Sequence, residues 1–320
     1  MQSARSESSQ GRRVGIAVVA IAVVAIAIVA ALLPPLAQAA PGPASTLERV
    51  RQTGKLVLGY RGDARPFSYR DESGNPAGYS VALCSRIAEE VKAELGLPTL
   101  IVEWVPVTQE DRFRAVEQGR IDLLCGTEDA TLTRRKTVDF SIPIFPAGIG
   151  AILRTDAPAG LQDVLMGRRD TRPRWRASPA EILERQTFSV VAGTTTERWL
   201  AGRLDAFKLA VKVAPVENYE AGIRSVLDRR TNVFFAERAI LLDAAKRTGS
   251  TGELVVLERR FTYEPLALAL ARGDEDFRLV VDRTLSRLFV SQVFSDLYGK
   301  WFGAPNEDAL RFFQLIALPE

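Results

Sequence analysis

Histidine is absent from all 320 residues. Its absence removes Ser-His-Asp and Cys-His nucleophile systems, His-ligated zinc and His-ligated haem from the functions open to this chain. Cysteine is nearly absent too. Cys84 and Cys125 are the only two, too few for a structural zinc site built of cysteine alone. No EF-hand or P-loop pattern occurs, so a metal would have to rest on carboxylates; neither a metal nor any other cofactor is expected. An excess of one charge sign is also missing. Once the first 39 residues are set aside, 39 basic residues face 38 acidic ones, which gives no reason to expect a nucleic-acid surface.

Apolar residues are plentiful, at 47% of the chain, enough for one large core or two smaller ones. The first concentration of them follows Arg12 and Arg13, runs over 14–33, and gives way to Pro34-Pro35 and Ala37-Gln38-Ala39. A basic start, an apolar stretch and an Ala-x-Ala end are the parts of a secretory signal peptide, here cleaved after Ala39. A run of this length can also span a bilayer as an uncleaved anchor. No cysteine directly follows it, so a lipid-modified N-terminus is not expected.

Beyond that segment the pattern alternates between strand and helix signals. A short helix over 46–52 ends at Gly54, and a strand over 55–60 leads to Arg61 and a turn at 71–75. Ser80 is placed to cap a helix whose apolar positions Cys84, Ile87, Ala88, Val91 and Leu95 share one face. A strand over 100–107 follows, then Thr108 and Asp111, three apart, open a helix that ends at Gly119. Ile121, Leu123 and Leu124 then read as a buried strand that stops at Cys125-Gly126. This order predicts a mostly parallel sheet with helices on both faces. Residues 154–182, rich in arginine and proline, read as a long polar loop, an insertion with a solvated basic surface. A second α/β series follows: strands over 188–192, 208–213, 232–235 and 254–257, with helices from Gly193-Thr194-Thr195 to 204, over 220–228 and over 239–246. A long alternating strand over 263–271 and two helices over 275–293 and 294–301 complete the chain.

The stretch from Cys125 to Ser141 organises the rest. A hydroxyl-rich turn after the strand end leads to Arg134-Arg135-Lys136. Strand-end N–H groups, the Thr127 hydroxyl and a guanidinium that swings back onto them are the means of holding a carboxylate; a polar strand-to-helix loop with a solvated basic end would read the same. Likewise Gly193-Thr194-Thr195 at a helix start suits either an anion or ordinary capping. Cys84 on an apolar helix face and Cys125 on the adjacent strand are expected to pair as a disulfide in an oxidising compartment.

Cys125-Gly126-Thr127, Arg134 and Phe140, with the phenylalanine six residues after the arginine, resemble the motif of extracellular solute-binding family 3, the periplasmic amino-acid-binding proteins of ABC transporters. The resemblance covers roughly 46–305 and is greatest to the glutamate/aspartate-binding members. Asp129 stands where that family has a threonine. The resemblance implies a two-lobe α/β fold of the type II periplasmic-binding kind, with two hinge strands crossing near 145–150 and 262–266 and a ligand cleft between the lobes. The organisation it implies is a signal peptide (1–39), lobe 1 (40–147), lobe 2 (148–262, with the 154–182 insertion), and a return to lobe 1 (263–320). It also implies that Arg134 grips the ligand α-carboxylate, Glu237 pairs with the ammonium in place of a family aspartate, and Arg61 and Arg112 meet the ligand side chain. Gln109, Thr127, Asp129, Thr194, Thr195 and Tyr219 complete the expected site.

Charge counting bears on the ligand without fixing it. Arg61, Arg112 and Arg134 against Asp129 and Glu237 leave one positive charge, which suits glutamate or aspartate; if Glu128 also faces inward, the balance is zero and a neutral amino acid fits better. The function expected is a monomeric transport receptor delivering an amino acid to membrane permease subunits. A cyclohexadienyl dehydratase-like enzyme, with Glu237 or Asp129 transferring a proton, and a membrane-anchored sensor are the alternatives.

Overall fold

The computed structural model describes residues 45–168, 178–247 and 252–320. The expected signal peptide lies outside the described residues. The chain opens with α1 (Thr46–Thr53), capped by Ser45 and ended by Gly54 in the left-handed region. Strands β1 (Lys55–Arg61), β2 (Asp63–Ala64), β3 (Ser68–Arg70) and β4 (Pro76–Ala77) lead to α2 (Tyr79–Glu94), β5 (Ile101–Val107), α3 (Arg112–Glu117), β6 (Leu123–Asp129) and β7 (Val138–Phe140). Next come β8 (Ile149–Arg154), α4 (Ala159–Met166), α5 (Pro179–Glu184), β9 (Thr187–Val191), α6 (Thr195–Ala206), β10 (Lys212–Val216), α7 (Tyr219–Leu227), β11 (Val233–Glu237), α8 (Arg238–Arg247) and β12 (Leu254–Val256). The chain finishes with β13 (Leu266–Ala271), α9 (Glu275–Phe289), α10 (Gln292–Phe302) and α11 (Glu307–Ile316).

Two five-stranded sheets form two α/β lobes, and β2, β3 and β4 make a small separate sheet. The first has the order β5-β1-β6-β13-β7 and the second β10-β9-β11-β8-β12. In each, four strands run parallel and one, β13 in the first and β8 in the second, runs antiparallel between them. The first sheet takes β13 from far down the chain, because residues 266–270 are apolar and buried without a break. That continuous burial corrects the alternating strand expected over 263–271: a strand covered on both faces needs no polar side. Thr262, Tyr263 and Glu264 instead belong to a crossing segment. The two crossings hydrogen-bond to each other. Leu266 N donates to Phe145 O, Glu264 N to Ala147 O and Phe261 N to Ile149 O. Gly148 sits where they pass closest, and a Cβ there would collide with the Thr262 carbonyl oxygen.

Several local expectations are corrected by where backbone and side-chain bonds go. Ser80 does not cap α2; Gly78 holds that position, and the buried Ser80 hydroxyl donates to Gly126 O at 2.7 Å. The motif strand passes through Gly126 and continues to Asp129, since β13 pairs with its extension at Glu128 and Asp129. Residues 154–182 contain α4, anchored by buried Leu161 and Leu165, and the start of α5, whose Ser178 and Glu181 form a capping box. The remaining basic run, 169–177, falls outside the described residues. Strand β10 begins later than expected because α6 runs to Ala206 and Lys208 turns with φ of 53°. A third C-terminal helix, α11, buries Ala309 and Phe313.

Cys84 on α2 and Cys125 on β6 form the disulfide, with Cα atoms 6.2 Å apart. Both lie in the larger apolar cluster with Leu58, Ile87, Leu123 and Leu268. Among the described residues no helix is long and apolar enough to cross a membrane.

Candidate ligand-binding site

In open α/β sheets the strand carboxyl ends leave a crevice where ligands bind. Here the ends of β1, β6, β9 and β11 supply Arg61, Asp129, the 192–195 turn and Glu237. A small, partly open crevice lies among them, lined by Gln109, Arg112, Thr127, Asp129 and Arg134 from the first lobe and Thr194, Thr195, Tyr219 and Glu237 from the second. Both lobes and the crossing segments contribute, for Gly148, Ile149 and Glu264 also line it. Of the expected ligand-binding residues, only Arg61 is not in the lining.

Arg134 swings back as the motif predicts. Its Nη1 donates to Asp129 O at 2.9 Å and approaches Asp129 Oδ2 at 3.5 Å, and its guanidinium lies 4.7 Å from the Phe113 ring centroid. Burial lowers the Arg134 pKa and neighbouring carboxylates only partly oppose this, so a ligand carboxylate would meet a poorly solvated cation. Across the cleft the Thr195 hydroxyl donates to Asp129 Oδ2 at 2.6 Å. The aspartate standing in the family's threonine position therefore ties one lobe to the other. Burial raises the Asp129 carboxyl, with the Glu128 charge adding to the rise.

Arg61 lies behind the lining residue Gln109 and does not itself line the cavity. It is 2% exposed, its Nε and Nη2 each donate to Asp63 at 3.0 Å, and Nη1 donates to Gln109 Oε1. Arg112 is bound through Nε to Glu128 Oε2 at 2.7 Å, a pair in which both partners are almost wholly buried. Burial acts to raise the Glu128 carboxyl, but the Arg112, Arg134 and Arg61 guanidiniums outweigh it and hold it below its ordinary range. Glu128 Oε1 has no hydrogen-bond partner and sits against Gly126, where a Cβ would lie 2.8 Å away. Glu128 does not line the cavity; it lies behind Arg112, where its charge still meets the guanidiniums of the site.

Glu237 ends β11 and caps α8. Its Oε2 accepts from Ala239 N and Ile240 N, and Oε1 accepts from Gly148 N at 3.4 Å. Burial pushes its pKa up to about 7 although these amides pull it down. Thr194 caps α6 by accepting from Glu197 N, and the Glu197 carboxylate accepts from Gly193 N at 2.8 Å. Ordinary capping thus accounts for this helix start. Tyr219 packs against the apolar clusters of both lobes, and burial raises its pKa to about 12. Two participants escaped sequence reasoning. Asp63 could have been found two residues from Arg61; Glu264 carries no local signal, because only the crossing of distant segments brings it to the cavity. Burial, with the nearby Asp129 charge, raises the Glu264 carboxyl.

Residues 56–304 match the family of bacterial extracellular solute-binding proteins, family 3. An L-glutamate/L-aspartate-binding protein of Pseudomonas aeruginosa is 30% identical over 81% of this chain and 80% of its own length. A glutamate/aspartate import solute-binding protein of Escherichia coli is 26% identical, covering 83% of this chain and 82% of its own. Among solved structures, an ancestral amino acid-binding protein described as a precursor of cyclohexadienyl dehydratase superposes with a TM-score of 0.66 at 26% identity, over 81% of this chain and all of its own.

Proposed function

The chain belongs to the bacterial extracellular solute-binding proteins, family 3, and on that premise we propose that it captures an amino acid between its lobes and delivers it to the membrane permease of an ABC transporter. Export behind a cleaved N-terminal signal peptide accompanies this reading. The observation that carries it is Arg134, a desolvated guanidinium at the junction of two lobes, with the Glu237 carboxylate on the opposite wall of the same cavity. One cation and one carboxylate across a small crevice are complementary to the two ends of an amino acid. The lobes would act by closing around the ligand, since only the closed form offers both walls at once.

A thermal-shift screen over the amino acids, on protein unfolded and refolded to remove carried ligand, tests this reading. A ligand at 100 times its Kd stabilises the folded state by about 2.7 kcal/mol, a clear rise in Tm. No shift with any amino acid would count against the proposal.

An enzymatic reading has one observation in its favour, Glu237 with a pKa of about 7, suited to proton transfer near neutrality. Turnover of prephenate or arogenate by the purified protein would establish it; binding without turnover supports the receptor.

A further inference from the structure

The cavity that lines this cleft holds two cations against three carboxylates: Arg112 and Arg134 face Asp129, Glu237 and Glu264. Arg260 near Glu237 and Arg198 near Glu264 and Arg134 offset part of this surplus on the wall of Glu237 and Glu264, but on the side of Arg61 and Arg112 the cations are already paired. Arg61 is consumed by Asp63 and Gln109, leaving no exposed donor. Arg112 is bridged by Glu128, whose second oxygen still lacks a donor. The protein has therefore supplied its own carboxylates to the two guanidiniums behind and beside Arg134. We propose, resting on the amino-acid-binding reading, that the ligand is an amino acid whose side chain carries no negative charge, with Asp63 and Glu128 excluding glutamate and aspartate.

The physical grounds are local. An α-carboxylate occupies Arg134 and the outward N–H groups of Arg112, which uses the cationic capacity of the cavity. A second ligand carboxylate would have to compete with Glu128 for Arg112, or with Asp63 for a guanidinium that is 2% exposed. Either choice sets like charges side by side in a poorly solvated crevice, where their repulsion is strong. On the wall formed by Glu237 and Glu264 the position is reversed. These carboxylates accept from donors, so the ammonium and a neutral or basic side chain meet acceptors there.

Calorimetric titration of refolded wild-type protein with the matched pairs glutamate and glutamine, aspartate and asparagine, and with lysine tests the inference. At least one amide or lysine should bind ten-fold or more tightly than either acid. An acid binding as tightly as its amide, or more so, overturns the inference while leaving the receptor reading intact. Binding of none of the common amino acids would overturn both. Glu128→Gln keeps the side chain's shape but frees Arg112, and should shift the glutamate-to-glutamine affinity ratio at least ten-fold toward glutamate. An unchanged ratio in a folded variant contradicts the inference; if that variant does not fold, the wild-type ratios decide alone.

Discussion

In the proposed capture of an amino acid, Arg134 and Glu237 hold the two ends of the ligand, and each makes a separate prediction. Arg134→Ala removes a desolvated, charge-assisted contact and leaves a ligand carboxylate poorly paired, at a cost of about 3 kcal/mol or roughly 100-fold in affinity. For Glu237 the prediction concerns pH. Its carboxyl is raised from 4.5 to about 7 in the folded protein. Between those values the unfolded chain has released the proton while the folded one retains it, so stability falls as pH rises through that window and levels off above it. Denaturant titration of ligand-free wild type and Glu237→Gln across pH 4.5–8 should show wild type losing up to about 3 kcal/mol relative to the variant. A constant difference between the two would contradict the assignment. At this scale the sequence was legible where chemistry is local. Thr127 and Arg134 lie within one short motif, and the glutamate at 237 ends a recognisable strand. Glu264 and the pairing of Glu128 with Arg112 were not, because each depends on which neighbour a side chain meets after distant segments pack.

Among the elements, strands and helices with strong apolar patterns were read nearly in place: β1, β5, α2 and α7 shift by a residue or two. Errors fell where a different partner claimed the chain. Strand β6 runs past Gly126 because β13 pairs with it, and α4 forms in an arginine-rich stretch because Leu161 and Leu165 find a pocket in the second lobe. The disulfide was legible, as two cysteines on facing apolar elements. It closes a separation of 41 residues, and its removal in a Cys84→Ser, Cys125→Ser double variant should lower stability by about 4 kcal/mol in the loop-entropy picture, read by denaturant unfolding. Labelling of the unreduced, unfolded protein should meanwhile find no free thiol. Gly148 tests the crossing segments. An alanine there forces apart backbone that touches Thr262 O, and Gly148→Ala should destabilise by about 1–3 kcal/mol. An unchanged denaturation midpoint would mean that the crossings pack more loosely than described.

Across the whole molecule, the proposed function rests on two lobes that both line one crevice. Thr195 to Asp129 at 2.6 Å and Arg65 to Asp243 at 3.5 Å bridge the lobes directly. Such bonds favour the closed form, and a ligand's apparent affinity scales with how readily that form is reached. Thr195→Val should therefore weaken binding three- to ten-fold, about the worth of one hydrogen bond. The most direct measurement of the central claim is a calorimetric titration of refolded wild-type protein and Arg134→Ala with the amino acid that gives the largest thermal shift. One ligand per chain, with affinity falling about 100-fold in the variant, is the predicted result; the same affinity in both proteins would contradict the site.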